Sequence, residues 1–193
     1  MASTLVRIFL DSVEKRDKPA LFMRKSGAGW ESIPSRRARA DVEHLAHGLA
    51  SLGVSRGDRV ALISENRYEW ALTDLAILSL GAVTVPIYPT LTAAQCRHIL
   101  ADSESRLAVV SGADQFAKIA EACEGLAAMQ VLLHMDPVTG TDGRARPFQE
   151  VMAEGVRRAT AAPGAYAEWT EQVQPGDLAT IIYTSGTTGE PKG

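Results

Sequence analysis

The residues that could do chemistry are concentrated in one segment, Thr184–Gly193 (TSGTTGEPKG). It holds three glycines, four hydroxyl side chains within five positions, and one lysine, Lys192. Glycine lets the backbone turn tightly, so that successive amide N–H groups can point into one concavity. Hydroxyl groups donate hydrogen bonds to phosphate oxygens, and a lysine adds a mobile positive charge. The pattern therefore predicts a loop that binds phosphate.

This segment differs from the P-loop of the common nucleotide hydrolases, in which glycine precedes the lysine and serine or threonine follows it. Here Pro191 precedes Lys192 and Gly193 follows it. Because proline removes a backbone donor and disfavours helical geometry at Glu190, phosphate must be held mainly by hydroxyl groups and upstream amides. Composition alone also fits a flexible Ser/Thr/Gly linker. The apolar run directly before the loop, Asp177–Tyr183, predicts a final strand and favours the loop instead.

Upstream, short apolar runs alternate with segments of helical periodicity. Strands are predicted at Arg59–Ser64, Ala82–Tyr88, Arg106–Val110 and Val131–His134, and helices at Tyr68–Leu80, Thr92–Asp102 and Ala113–Glu124. Pro86 favours a sheet edge or a strand end, and Thr92 with Gln95 has the spacing of a capping box. Repeated strand–helix units of this length predict an α/β fold with a doubly wound, mostly parallel sheet.

The flanking segments predict a different organisation. Before the repeats, the sequence predicts an opening amphipathic helix, a hairpin of Ala20–Lys25 with Trp30–Ile33, and a helix capped by Ser35 that ends at Gly53. After them, the turn-rich Asp136–Pro147 and the Ala/Pro/Gly-rich Gly155–Gly176, with one short helix before it, predict a surface excursion.

Composition excludes several classes of protein. A net charge of −3 provides no basic footprint for nucleic acid and no polybasic membrane patch. No secretory signal is visible, and the most apolar stretch, Trp70–Ala82, is too short to span a bilayer. The two cysteines, Cys96 and Cys123, have no CxxC spacing and are expected to be reduced core residues in a cytoplasmic protein. Peripheral membrane contact and oligomeric state stay open.

Two histidines have a spacing that could bind a metal. His44 and His47 are three positions apart on the helix that begins near Ser35. On a helical wheel both lie opposite the apolar stripe of Val42, Leu45 and Leu49. A solvated polar face is therefore the favoured interpretation, and no metal ligand is assigned.

The loop, preceded by an apolar strand that ends in tyrosine, resembles the signature loop of the AMP-forming adenylating enzymes over its whole length. These include acyl-CoA synthetases, the amino-acid-activating domains of peptide synthetases, and luciferases. Gly57–Ala61 (GDRVA) and Glu65–Trp70 (ENRYEW) resemble the family's early strand and helix. Leu80–Thr90 (LGAVTVPIYPT) is most similar to the bacterial long-chain fatty acyl-CoA synthetases.

The resemblance implies a reaction in two steps. A carboxylate attacks the α-phosphate of ATP, which is bound with Mg²⁺, and the resulting acyl-adenylate then passes its acyl group to a thiol, usually that of CoA. The loop would stabilise the departing pyrophosphate by holding the β- and γ-phosphates. The residues that match the family's nucleotide-contacting positions are Thr184, Ser185, Gly186, Thr187, Thr188, Gly189 and Lys192. No catalytic residue is assigned.

Residues 1–193 are expected to be the N-terminal part of the AMP-binding (adenylation) domain, truncated at the phosphate loop. The resemblance implies that the ribose-binding aspartate and the C-terminal mobile domain with its catalytic lysine lie outside this chain, so the chain alone is expected to be inactive. The function implied for the full-length protein is that of a long-chain fatty acid–CoA ligase, with a fatty acid, ATP and CoA as partners. The alternatives are an adenylating enzyme for another acid or for a carrier-protein acceptor, and a non-catalytic truncated module.

Overall fold

A computed structural model describes residues 3–27, 29–139, 143–185 and 191–193. The helices are α1 (Leu5–Lys15), α2 (Ser35–Ser51), α3 (Tyr68–Ser79), α4 (Ala93–Asp102), α5 (Ala113–Ala122), α6 (Phe148–Ala161) and α7 (Ala165–Gln172). The strands are β1 (Phe22–Ser26), β2 (Gly29–Ile33), β3 (Arg59–Ile63), β4 (Val83–Pro86), β5 (Leu107–Val110), β6 (Val131–His134), β7 (Ala145–Pro147), β8 (Thr184–Ser185) and β9 (Pro191–Lys192). No helix within these residues is long and apolar enough to cross a membrane.

The centre of the fold is a five-stranded sheet with the order β4-β3-β5-β6-β7, in which every neighbouring pair is parallel. The chain moves from β3 to one side to form β4, and then returns to the other side of β3 to form β5. Helices therefore cover both faces of the sheet, as in other doubly wound folds. The predicted fold class is confirmed.

Alternate residues of each central strand enter two separate cores, because successive side chains of a strand point to opposite faces. In β3, Val60 and Leu62 pack with α2, α3, α6 and α7, whereas Ala61 and Ile63 pack with α4 and α5. All four side chains are fully buried. Both faces being covered explains why β3 is a continuous apolar run and not an alternating one.

The elements predicted up to His134 are confirmed, with boundaries that shift by a few residues. Pro86 is the last residue of β4, which lies at one edge of the five-stranded sheet, and the Thr92–Gln95 capping box is formed. The prediction that Ser35 caps α2 is wrong. Pro34 is the N-cap, and the Ser35 hydroxyl accepts a hydrogen bond from the Lys18 backbone N–H at 3.0 Å.

The prediction of a surface excursion after Asp136 is also wrong. The strand β7 extends the sheet beyond β6, and the helices α6 and α7 cover the face that holds α2. The Gly/Ala composition misled the prediction because Gly155 lies inside α6, where glycine normally weakens a helix. A Cβ atom at Gly155 would lie 1.8 Å from the His44 carbonyl oxygen. Glycine is therefore required there by the close contact between α6 and α2.

The helix α7, which was not predicted, explains a further wrong prediction, that of a solvated His47. This residue is 2% exposed, because its ring packs against Trp169 of α7 with ring centroids 4.7 Å apart. Its Nε2 atom has no hydrogen-bond partner among the described residues. Burial lowers the pKa of His47; Glu43 opposes that shift, while His44 and Arg158 add to it. His47 therefore belongs to a helix interface and not to a metal site.

Candidate functional site

The segment before the predicted phosphate loop is attached to the edge of the sheet by Thr84 of β4. The Thr84 N–H donates to the Ala179 carbonyl at 3.0 Å, and the Ile181 N–H donates to the Thr84 carbonyl at 3.1 Å. The predicted strand Asp177–Tyr183 is reduced to this one parallel bridge, Thr84 with Thr180. In a parallel ladder the next donor would be the backbone nitrogen of Pro86, which carries no hydrogen, so the pairing stops there.

Tyr183 fixes the chain immediately before the loop. Its side chain is 8% exposed, and its hydroxyl donates a 2.5 Å hydrogen bond to Asp102 at the end of α4. The ring also meets the His98 imidazole edge-on, with centroids 6.5 Å apart. Burial, followed by the hydrogen bond to Asp102, raises the pKa of the Tyr183 phenol, so this donor keeps its proton. The tyrosine that the sequence motif places before the loop is therefore an anchor.

Two of the predicted site residues lie opposite each other at the base of the loop. Strands β8 and β9 pair antiparallel, with Thr184 facing Lys192 and Ser185 facing Pro191. Because directly paired residues project from the same face, the Thr184 hydroxyl and the Lys192 ammonium group share one side of this small ribbon. Both residues are exposed.

Gly193 closes the base of the loop against the anchor. A Cβ atom at this position would lie 2.6 Å from Cγ2 of Ile181 and 2.9 Å from the ring of Tyr183. A larger residue in place of the motif's last glycine would therefore have to displace the Ile181 or Tyr183 side chain. The remaining predicted site residues, Gly186, Thr187, Thr188 and Gly189, lie outside the described residues, as does Glu190.

The described arms have the chemistry that a polyphosphate requires. Lys192 is exposed and makes no ion pair with the part of the chain that the structure describes. The Thr184 hydroxyl can donate to a phosphate oxygen on the same face. A lysine and a hydroxyl group at the mouth of a glycine-rich loop fit the β- and γ-phosphates of a nucleotide.

A cleft of about 460 Å³ lies beside the loop, at the carboxyl ends of β3 and β4. Trp70, Tyr88 and Ile182 line it, and Tyr88 and Ile182 are 68% and 56% exposed. Ile182 is only two residues before Thr184, so the cleft borders the segment that leads to β8. This cleft was not predicted from the sequence. The rule that ligands bind at the carboxyl ends of parallel strands could have found it.

The loops at the neighbouring strand ends are held by polar contacts. Hydrogen bonds from the Ser111 side chain and, more weakly, from Gln115 lower the pKa of Glu65. Arg67 binds Asp136 through two hydrogen bonds of 2.9 and 3.0 Å, which raise the pKa of the guanidinium group. These pairs link the loops that follow β3, β5 and β6 and so give the cleft a fixed wall.

Comparison with known proteins shows which family the chain resembles along almost its whole length. The model of the AMP-binding enzyme family matches residues 10–193. The chain is 36% identical over 181 residues to the long-chain-fatty-acid–CoA ligase FadD15 of Mycobacterium tuberculosis, covering 93% of this chain and 29% of that protein. It is 26% identical to the long-chain-fatty-acid–CoA ligase ACSBG2 of Xenopus laevis, covering 98% of this chain and 25% of that protein. The chain thus spans less than a third of the length of these curated relatives.

Solved structures show the same fold. The anthranilate CoA ligase AuaEII, in complex with anthranoyl-AMP, matches 99% of this chain and 33% of its own with a TM-score of 0.69 and 20% identity. The adenylation domain of the carboxylate reductase GR01_22995 from Mycobacterium chelonae matches 98% of this chain and 34% of its own with a TM-score of 0.70 and 22% identity. Because the family model matches residues 10–193, the chain belongs to the AMP-binding enzyme family.

Proposed function

We propose that this chain is the N-terminal part of the adenylation domain of a long-chain fatty acid–CoA ligase. The observation that carries the proposal is the pairing of Thr184 with Lys192 at the mouth of the TSGTTGEPKG loop. The 36% identity to a long-chain ligase over 93% of the chain supports the choice of acid. In the full-length protein, the acid would attack the α-phosphate of ATP to form an acyl-adenylate, and CoA would then accept the acyl group.

The residues of this chain would act on the leaving group. The Thr184 hydroxyl would donate to a phosphate oxygen, and Lys192 would stabilise the charge that develops on the departing pyrophosphate. Tyr183 and Gly193 would hold the two arms in place, because there is no room for a Cβ atom between Gly193 and the Tyr183 ring. Magnesium would arrive with the triphosphate as its counter-ion, and we assign none of the residues of this chain as its ligand.

The proposal includes the setting of the reaction. Cys96 and Cys123 are buried and form no disulfide in the described part of the chain, which is consistent with a reducing cytoplasmic location. A long-chain acid partitions into membranes, so peripheral contact with a bilayer would bring the enzyme to its substrate. The C-terminal mobile domain and the acyl and CoA sites would lie in the rest of the full-length protein, and the 193-residue chain alone would not complete the reaction.

The decisive experiment is carboxylate-dependent ATP–pyrophosphate exchange, measured for the full-length protein and for this chain with short, long and aromatic acids. We expect exchange by the full-length protein with long acids and none by the chain alone. Exchange only with aromatic or short acids would support an adenylating enzyme for another acid. Absence of exchange with every acid would support a non-catalytic module.

A pair of variants tests the loop within the same assay. Thr187→Ala with Thr188→Ala removes two hydroxyl donors from the loop and is expected to lower the exchange rate by roughly 10- to 100-fold. Thr160→Ala, an exposed threonine on α6, is the matched control and should leave the rate unchanged. An unchanged rate in the loop variant would remove these hydroxyl groups from the mechanism.

A further inference from the structure

The hairpin of β1 and β2 has one face turned away from the core. Its register pairs Lys25 with Trp30 and Met23 with Ser32, so these four side chains share that face. The opposite face bears Ile33, which is buried. Trp30 is 67% exposed and Met23 is 56% exposed. We call the face formed by Met23, Lys25, Trp30 and Ser32 the outer hairpin face.

This part of the molecule is basic, although the whole chain is acidic. Residues 15–39 contain eight basic and two acidic side chains, a net charge of +6, while the chain as a whole carries −3. Several of the arginines are ion-paired, as Arg24 is with Glu31. Arg16, Lys18 and Lys25 are exposed and make no ion pair with any residue that the structure describes. Their charges are therefore available to an external anion.

The position of Lys18 links the free charges to the hairpin. Its backbone N–H donates to the Ser35 hydroxyl, and its carbonyl accepts from the Ser35 N–H at 2.9 Å. Ser35 follows the end of β2 by two residues, so Lys18 lies at the base of the hairpin and Lys25 lies near its tip. Lys18 and Lys25 therefore lie towards the two ends of the ribbon that carries the exposed Trp30 and Met23.

An exposed tryptophan beside a methionine and free lysines matches the surface of an anionic bilayer. The indole ring prefers the boundary between headgroups and acyl chains, where its apolar body is buried and its N–H can be hydrogen-bonded. Lysines close to an anionic leaflet are attracted by its negative surface potential. We propose that the outer hairpin face docks on an anionic membrane surface. If the proposed function is right, docking would bring the enzyme to its long-chain acid in the membrane. The docking itself requires no catalysis.

Other occupants fit the face less well. Single-stranded nucleic acid is bound by series of aromatic side chains on which successive bases stack, and this face offers only Trp30. A second copy of the chain would bring the same free lysines together and would be repelled by them. A bilayer with anionic headgroups complements both the apolar side chains and the charge.

The test is co-sedimentation of this chain with vesicles of phosphatidylcholine, with and without about 30% phosphatidylserine, at low and high salt. We expect binding to the anionic vesicles that weakens as salt rises. Trp30→Ser with Lys25→Gln is expected to weaken the partition coefficient by about tenfold or more. Val156→Ser with Arg157→Gln removes one exposed apolar and one exposed basic side chain from α6, and this matched control should bind as the parent does.

A second measurement places the contact at Trp30. Brominated acyl chains should quench the tryptophan emission of the vesicle-bound parent. Trp30→Phe should still bind but lose most of this quenching, because Trp70 and Trp169 are partly buried in the core. Absence of binding by the parent, equal binding by the Trp30→Ser/Lys25→Gln variant, or undiminished quenching in Trp30→Phe would each overturn the proposal. Because no step uses ATP or an acid, failure here leaves the exchange assay free to decide the proposed ligase activity.

Discussion

Replacing Gly155 by alanine tests the contact between α2 and α6 on which one core depends. In a solvent-exposed helix this change would stabilise by about 1 kcal/mol, because glycine is the weaker helix former. Here the new Cβ atom would lie 1.8 Å from the His44 carbonyl oxygen and 3.0 Å from the Gly48 nitrogen. Both are backbone atoms, so no side chain can rotate away and the helices must separate.

Overpacking of this kind typically costs about 1–3 kcal/mol, and the backbone clash places Gly155→Ala at the upper end. After the gain in helix propensity, we expect a net loss of about 2 kcal/mol in the free energy of unfolding. For a chain of this length, that corresponds to a fall in Tm of roughly 4–8 °C.

Urea unfolding monitored by circular dichroism measures the free energy, and a thermal scan measures Tm. Ala153 is exposed on the same helix, so Ala153→Gly measures the effect of helix propensity alone. It should lower the free energy of unfolding by about 1 kcal/mol. If Gly155→Ala is as stable as the parent or more stable, propensity alone governs the position and the inferred close contact is wrong.

Three further predictions concern single side chains. Burial lowers the pKa of His47, so protons bind the unfolded state more readily than the folded state. The contribution of His47 to the free energy of unfolding is therefore fully present above about pH 6.5, the ordinary pKa of histidine. It falls as the pH drops towards the folded-state pKa, by at most about 1.4 kcal/mol per pH unit. His47→Gln should flatten the pH dependence of urea unfolding between pH 7 and 5, and parallel curves would contradict this. A double-mutant cycle of Tyr183→Phe and Asp102→Ala should give a coupling energy of about 1 kcal/mol, whereas additivity would mean that the 2.5 Å hydrogen bond contributes nothing. Both cysteines are buried, and burial raises the pKa of the Cys96 thiol. Ellman's reagent should therefore react with neither cysteine until the chain is unfolded. Rapid labelling of the native chain would refute their burial.

The central sheet could be predicted because its strands are local signals. Each of the strands β3, β5 and β6 is a short apolar run between segments of helical period, and burial on both faces makes such runs continuous. The capping box at Thr92 is likewise a matter of two residues three positions apart. These features require no knowledge of distant parts of the chain.

What the sequence did not predict depends on contacts between distant segments. Gly155 is tolerated inside α6 because the backbone of α2 lies against it, and His47 is buried because α7 covers it. The seven residues before the loop have strand composition, yet only one bridge forms, because Pro86 on the neighbouring strand has no N–H to donate. None of these facts is visible from local pattern.

The candidate site was predicted in part. The motif identified the loop, and the structure places Thr184 and Lys192 together at its base. The anchoring hydrogen bond from Tyr183 to Asp102 and the cleft lined by Trp70 and Tyr88 required the folded chain, because their partners are far apart in sequence.

The contact of Gly48 with α6 also has a consequence for the order in which the protein is made. The α2 helix leaves the ribosome about 100 residues before the segment of α6 that packs on it. At synthesis rates of roughly 5–20 residues per second, the apolar face of α2 would remain without α6 for about 5–20 s. During that interval α2 can pack against α3 and the first strands, but the surface at Gly48 that α6 covers in the folded chain stays open to solvent. A chaperone that binds exposed apolar helix surfaces would therefore find its target on the nascent chain and lose it once Gly155 arrives.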